Sequence, residues 1–279
     1  MTMAYALSRK FKLCYQIIHQ FKLYILFTST LLVSSSSSVL AQKSPRFLKP
    51  FFKQGEVLQY AIKYGIFKCG EANLSVLSTN MDYNGKKAIH FSATGQTSGT
   101  FDIFYKVRNR YDSFIDPKTF LPYTYKENIR ENSYKRSGLA EFDYEKKEVR
   151  STKGLIPIKA DTRDIVSAFY FARSLDLSNV NQGDVIDIDY YLEGEVARLE
   201  ITYVGKEEIS TPMGTFSCFK FSPSVKAGRI FRKDSKMYLW ITADANRVPI
   251  RAKAEILVGT IIMDLKGYTN LNTVLKGED

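Results

Sequence analysis

Lys236-Met237-Tyr238-Leu239-Trp240-Ile241-Thr242, then the polar Ala243-Asp244-Ala245-Asn246-Arg247, then Val248-Pro249-Ile250-Arg251-Ala252-Lys253-Ala254-Glu255-Ile256 is the run that decides the fold. Ile250, Ala252, Ala254 and Ile256 alternate with Arg251, Lys253 and Glu255, the period of a strand with one dry and one wet side. Two extended segments thus flank a polar turn. The only tryptophan, Trp240, lies in the first segment and reads as an aromatic anchor of the core. The second segment runs on through Leu257 to Leu265 as one strand: Pro249 limits pairing where it begins, and Gly259 bends it midway. The hairpin is expected to complete a curved sheet that the preceding chain builds up to it.

Upstream, the same alternation recurs. Leu58, Tyr60, Ile62 and Tyr64 share one face, then Gly65 to Gly70 turns the chain into Ala72, Leu74 and Val76. Asn84-Gly85 is a hairpin-turn dipeptide before Ile89, Phe91 and Ala93. Gly99 to Lys106 reads as one helical turn or a bent connection, and strands resume at Val107. Later, Ile186, Ile188 and Tyr190 alternate with Asp187, Asp189 and Tyr191, and Glu193-Gly194-Glu195 turns the chain back. One stretch has helical spacing. Ile165, Ala168, Phe169 and Ala172 fall at i, i+3, i+4 and i+7 behind Asp161 or Asp164 as cap, with Arg173 at the dipole-favoured end. A lone helix of this length is expected to cover one end of the sheet. The fold class is mainly β: one curved antiparallel sheet or partly open barrel of roughly twelve strands with one short helix.

The N-terminus reads as an export signal. Arg9, Lys10, Lys12 and Lys22 precede the apolar run Leu23 to Val33, a serine tract, and Val39-Leu40-Ala41. That run of about 11 residues is too short for the roughly 20 of a spanning helix, so cleavage is expected after Ala41. The organisation is then signal peptide 1–41, linker 42–54, one β-rich domain 55–271 and a tail 272–279. Phe51 and Phe52 in the linker are expected to dock. Cleavage lowers the net charge from +11 to about +7. The composition, 44% hydrophobic and 14% aromatic, is enough for a sizeable core. Cys69 and Cys218 remain in the mature chain. Export permits a disulfide, but both sit in apolar strand-like segments where a free thiol serves as a small hydrophobe.

Several local patterns, taken in order, resemble the bacterial domain-of-unknown-function family 3108. They are Gly55-Glu56-Val57-Leu58-Gln59-Tyr60, Cys69-Gly70-Glu71-Ala72, Tyr111-Asp112-Ser113-Phe114-Ile115-Asp116, Asp164-Ile165-Val166-Ser167-Ala168-Phe169-Tyr170 with Arg173, Thr211-Pro212-Met213-Gly214-Thr215-Phe216, and Leu239-Trp240-Ile241-Thr242 with Asp244, Arg247 and Pro249. The resemblance spans about Gly55 to Leu265. It implies an exported Gram-negative envelope protein with a mostly β fold and implies no activity. The Trp240 hairpin also resembles, in architecture only, the last strands of the periplasmic lipoprotein carriers.

Catalytic sets are sought in vain. Of the two histidines only His90 follows the signal, beside Phe91 in a strand. No Cys-x-x-Cys, His pair, Gly-x-Ser-x-Gly elbow or phosphate loop occurs. The expectation is no catalytic residue, no metal and no cofactor. The pairs Asp187/Asp189 and Glu193/Glu195 read as a wet sheet face, although two carboxylates across a cleft would serve a hydrolase. A basic stretch stands out, with Lys226, Arg229, Arg232, Lys233 and Lys236 interleaved with Ile230 and Phe231. Its cations suit phosphate head groups while the apolar pair inserts, and the bland alternative is a solvated turn.

The reading is a non-catalytic envelope protein, periplasmic or outer-membrane-associated, whose curved sheet binds an apolar or amphipathic, lipid-like ligand. An anionic envelope surface is a further partner for the basic stretch. The alternative is an interaction or structural module that holds an envelope protein partner. Nucleic acid is not expected as a partner of an exported protein.

Overall fold

In a computed structural model of the chain, residues 51–83, 85–224, 235–275 and 277 are described. The expected signal peptide, most of the linker, and Lys226, Arg229, Ile230, Phe231, Arg232 and Lys233 lie outside them. Among the described residues no helix is long and apolar enough to cross a membrane.

The chain begins in the middle of its own sheet. Strand β1 (Val57–Tyr64) folds back into β2 (Phe67–Leu77). A small separate hairpin, β3 (Asp82–Tyr83) and β4 (Lys86–Lys87), precedes β5 (Ile89–Thr97), which pairs with β2. The five-residue helix α1 (Thr100–Phe104) leads to β6 (Arg108–Ile115). Then β7 (Pro122–Glu131), β8 (Tyr134–Asp143), β9 (Glu148–Ser151) and β10 (Gly154–Pro157) each pair with the strand before. The chain next forms β11 (Arg163–Asp164) on the opposite edge and the helix α2 (Ile165–Arg173). From there β12 (Val185–Leu192), β13 (Glu195–Thr211), β14 (Gly214–Pro223), β15 (Met237–Thr242), β16 (Pro249–Glu255) and β17 (Thr260–Thr269) build inward until β17 pairs with β1.

The result is one sheet of fifteen strands, antiparallel except for the β11–β12 pair. The expected class holds, with more strands among the described residues than the twelve read from alternation, because β10 and β11 are too short to show a period and the stretch read as one bent strand from Val248 to Leu265 is two antiparallel strands, β16 and β17. The β15–β16 hairpin does not complete the sheet. It lies inside it, since β17 and β1 extend the ladder beyond it. Gly99 to Lys106 resolves into a second, very short helix.

Connectivity explains the curl. The two edges, β10 and β11, are joined only by Ile158 to Thr162. Such a link reaches at most about 20 Å, whereas fifteen flat strands would span roughly 65 Å. The sheet must bend until its edges meet. Side chains rather than ladder hydrogen bonds then cross the seam. Lys159 Nζ donates to Asp189 Oδ2 at 2.6 Å, Arg136 pairs with Glu193 at 2.6 Å, and Lys153 Nζ donates to the Glu193 carbonyl. Tyr191, on the face that alternation assigns to Asp187 and Asp189, packs across the seam on Tyr125 and Phe142 at 6.1 and 5.8 Å between ring centres. Glu193 and Gly194 both have positive φ, the two-residue hairpin geometry that delivers Glu193 to this seam.

Helix α2 does not cap an end. It crosses the inner face of the curl, with Val166, Ser167, Ala168, Tyr170 and Arg173 buried. Tyr170 stacks on Phe91 of β5 at 3.8 Å and 5°. Phe52 meets Phe91, Phe120 and Tyr170 edge-on at 5.1 to 5.6 Å, so this linker residue is core. Cys69 and Cys218 are buried free thiols, and burial pushes the Cys218 thiol up to about 12.

Candidate functional site

An apolar concave feature lies between α2 and the inner face of β12 to β15. Alternation sets which residues line it. Ile186 of β12, Ile201 of β13, Phe221 of β14, and Leu239 and Ile241 of β15 point inward. From above, Phe169 and Ala172 of α2 and Leu177 beyond its end close over them. They enclose an apolar cavity of about 40 Å³. Arg173 is its only charged wall residue.

Both ends of α2 are fastened by buried polar groups. At the N-terminus, Asp164 is fully buried and accepts from Val166 N at 2.8 Å and Ser167 N at 2.9 Å. Asp164 N donates in turn to the Ser167 hydroxyl oxygen at 3.1 Å, which completes a capping box. Asp164 Oδ2 also accepts from the Ser113 hydroxyl of β6 at 2.5 Å. Burial raises the Asp164 carboxyl above its ordinary value against these three donations and a fourth from the Ser167 hydroxyl at 2.8 Å. At the C-terminus, Arg173 donates to both carboxylate oxygens of Glu56, at 2.7 and 3.3 Å, with both side chains buried. Its remaining donors go to the carbonyls of Arg247 at 3.0 Å and Asn246 at 3.1 Å, in the β15–β16 turn. Burial alone would lower the guanidinium, but the Glu56 carboxylate outweighs it and the group lies above its ordinary value. The fork thus ties α2 to the start of β1 and to the hairpin turn.

Sequence reasoning placed Arg173 against the helix dipole and missed Glu56, which lies 117 residues away. Trp240 stands on the opposite face from Leu239 and Ile241, outside the cavity. It packs with Leu58, Phe216 and Leu265, and its indole N–H donates to Glu207 at 3.0 Å. Lys236 is exposed at the start of β15. The structure therefore does not bring Lys236 and Trp240 into one site. His90 is bound to Asp112 at 2.7 Å and stacked on Phe114 at 4.3 Å.

The carboxylates are also placed. Asp189 is shared by Lys159 and Arg198, and Asp187 lies 3.8 Å from Arg198. Glu193 and Glu127 converge on Arg136 at 2.6 and 3.2 Å beside a void of about 10 Å³. Burial, first among the causes, raises the Glu127 carboxyl. Arg136 of β8 holds both carboxylates, Glu127 of β7 and Glu193 of the β12–β13 turn, so this cluster acts as a clasp across the seam. Among the described residues no three His, Cys, Asp or Glu side chains are grouped to hold a metal ion.

Comparison with known proteins bears on the fold. A β-barrel-like protein of the DUF1849 group from Brucella abortus superposes with a TM-score of 0.52 at 8% identity, covering 81% of this chain and 100% of that one. A protein with a YmcC-like fold from Bacteroides fragilis gives 0.36 at 13% identity, covering 80% of this chain and 99% of that one. No curated protein matches the sequence. The profile described as protein of unknown function (DUF3108) matches residues 59–266.

Proposed function

We propose, from the premise that this chain belongs to the DUF3108 family, that it is a non-catalytic exported envelope protein that binds an apolar or amphipathic, lipid-like ligand beneath α2. What supports this reading is the apolar cavity between α2 and β12 to β15, with Arg173 as its one charged wall residue. A lipid tail matches such a lining, and the Arg173 guanidinium, already held by Glu56, adds no free charge to it.

The cavity sets the mechanism. At about 40 Å³ it is far below the roughly 300 to 1,000 Å³ of a small-molecule site. Ligand entry therefore requires α2 to lift from β12 to β15, so that the tail replaces Phe169 and Leu177 against the sheet. The Arg173–Glu56 fork holds the closed form.

Native mass spectrometry of protein purified from its host, followed by solvent extraction, tests the reading. A co-purifying lipid, and uptake of a fluorescent fatty acid that falls in Ala172→Leu, are the expected results. Protein that is empty in the spectrometer and takes up no fatty acid overturns it.

A further inference from the structure

The antiparallel register puts several chain reversals on one rim of the sheet. Tyr64, the last residue of β1, pairs with Phe67 on one side and Ile261 on the other. Its hydroxyl donates to the Val258 carbonyl at 2.9 Å, and Gly65 N donates to Thr260 O at 3.3 Å. The β1–β2 and β16–β17 turns are thus neighbours. On the other flank, Gly70 pairs with Thr97, and Ser98 N donates to Cys69 O at 3.2 Å, so α1 emerges beside the start of β2. Three adjacent projections result, across roughly 20 Å of rim at the usual strand spacing.

All three carry apolar tips that the core does not use. Ile66 is 89% exposed, Ile103 82%, Phe67 56%, Val258 49% and Leu257 45%. Large apolar side chains standing at the ends of turns are not required by folding, and in a row they form an interaction surface. Cations border them on the same rim. Lys106 precedes β6, Arg130 and Lys135 flank the β7–β8 turn and Lys236 precedes β15, all exposed; the Lys236 main-chain N–H donates to Glu255 at 3.4 Å, but among the described residues none of the four cationic side chains forms an ion pair.

The geometry points to this rim as a membrane-docking edge. Ile66, Phe67, Ile103, Leu257 and Val258 enter the head-group region of an anionic lipid surface, and the four cations meet its phosphates. Separate projecting tips suit a fluid bilayer, which fills the space between them, whereas a rigid protein partner would need a matching set of pits. Cations behind apolar tips are the complement of an anionic interface. This docking is independent of whether the cavity under α2 takes a ligand.

Flotation of the mature protein with vesicles of phosphatidylethanolamine and phosphatidylglycerol is the test, with phosphatidylcholine vesicles as control. The wild type floats with the anionic vesicles. Ile66→Asp with Val258→Asp lowers the bound fraction at least about tenfold, with the thermal midpoint unchanged because both sites are solvent-facing. Lys106→Glu with Lys236→Glu weakens binding to anionic vesicles and leaves any phosphatidylcholine binding untouched. Wild type that stays unbound, or tip variants that float equally well, overturns the proposal. So does a lipid-free dimer, seen by sedimentation, that the tip variants dissolve, since the rim would then serve a second copy of the chain.

Discussion

At the residue scale, the molecule depends on a few buried charges with complete partners. Arg173 and Glu56 are the clearest, since each is buried and each satisfies the other. Removing one leaves the other unpaired in a dry interior. Glu56→Leu and Arg173→Met should each lower stability by about 3 to 5 kcal/mol, whereas the two together should recover much of the loss. Urea unfolding of the four proteins reads the coupling, and additive single effects would refute it. Asp164 works through geometry as well as charge. Asp164→Ala should cost about 1 to 2 kcal/mol as a lost cap, while Asp164→Asn keeps an acceptor and should cost less. Asp112 gives the pH dependence. Burial would raise its carboxyl, but His90 and Arg110 hold it down at about 2, below the ordinary 3.8. A depressed carboxyl stabilises the fold above its unfolded value and loses that contribution as pH falls through the folded one. Between pH 4 and 2 the wild type should lose more stability than Asp112→Asn. Denaturant titrations at both pH values decide it, and equal losses would remove Asp112 from the account.

At the element scale, backbone proximity sets the limits. Gly70 sits where β2 meets both β1 and β5, beside a register shift at Ile62 and Lys63. A Cβ there would lie 2.6 Å from the Gln96 carbonyl oxygen, a backbone atom that cannot swing aside. Gly70→Ala should cost about 1 to 3 kcal/mol as a forced overpacking, and a thermal melt unchanged from wild type would show that the two strands separate easily. Gly70 was legible as part of an ordered motif, as were Asp164 and Ser167 at the head of α2. Those motifs pointed to the family that the profile match then established. Tyr191 was not legible, because strict alternation assigns it to the wet face, and only the opposing edge of the sheet makes that face dry.

At the scale of the whole molecule, order should follow position in the sheet. β1 and β17 are laddered on both sides at its centre, whereas β10 and β11 are short edges held across a seam by side chains. Hydrogen exchange should therefore begin at β10 and β11 and reach β1 and β17 last. Exchange that starts at β17 would contradict the seam as the place where the sheet opens. The seam clasp also predicts that Arg136→Ala speeds exchange in β12 more than in β2, because Glu193 and Glu127 both lose their cation.

The sequence alone determined the class, the strand period and the helix, because these depend on neighbours within a few residues, though not which of Asp161 and Asp164 caps it. It also carried an N-terminal stretch that reads as an export signal, and no familiar catalytic motif. The tertiary structure decided what depends on distance along the chain. It placed the β15–β16 hairpin inside the sheet rather than at its end, because the last strand returns to the first. It put α2 on the inner face, where Arg173 finds Glu56. It also turned Trp240 away from the cavity that Leu239 and Ile241 line. Alternation says that two faces exist, but which face is inside follows only from the direction of the curl, and the short link between the two edges sets that.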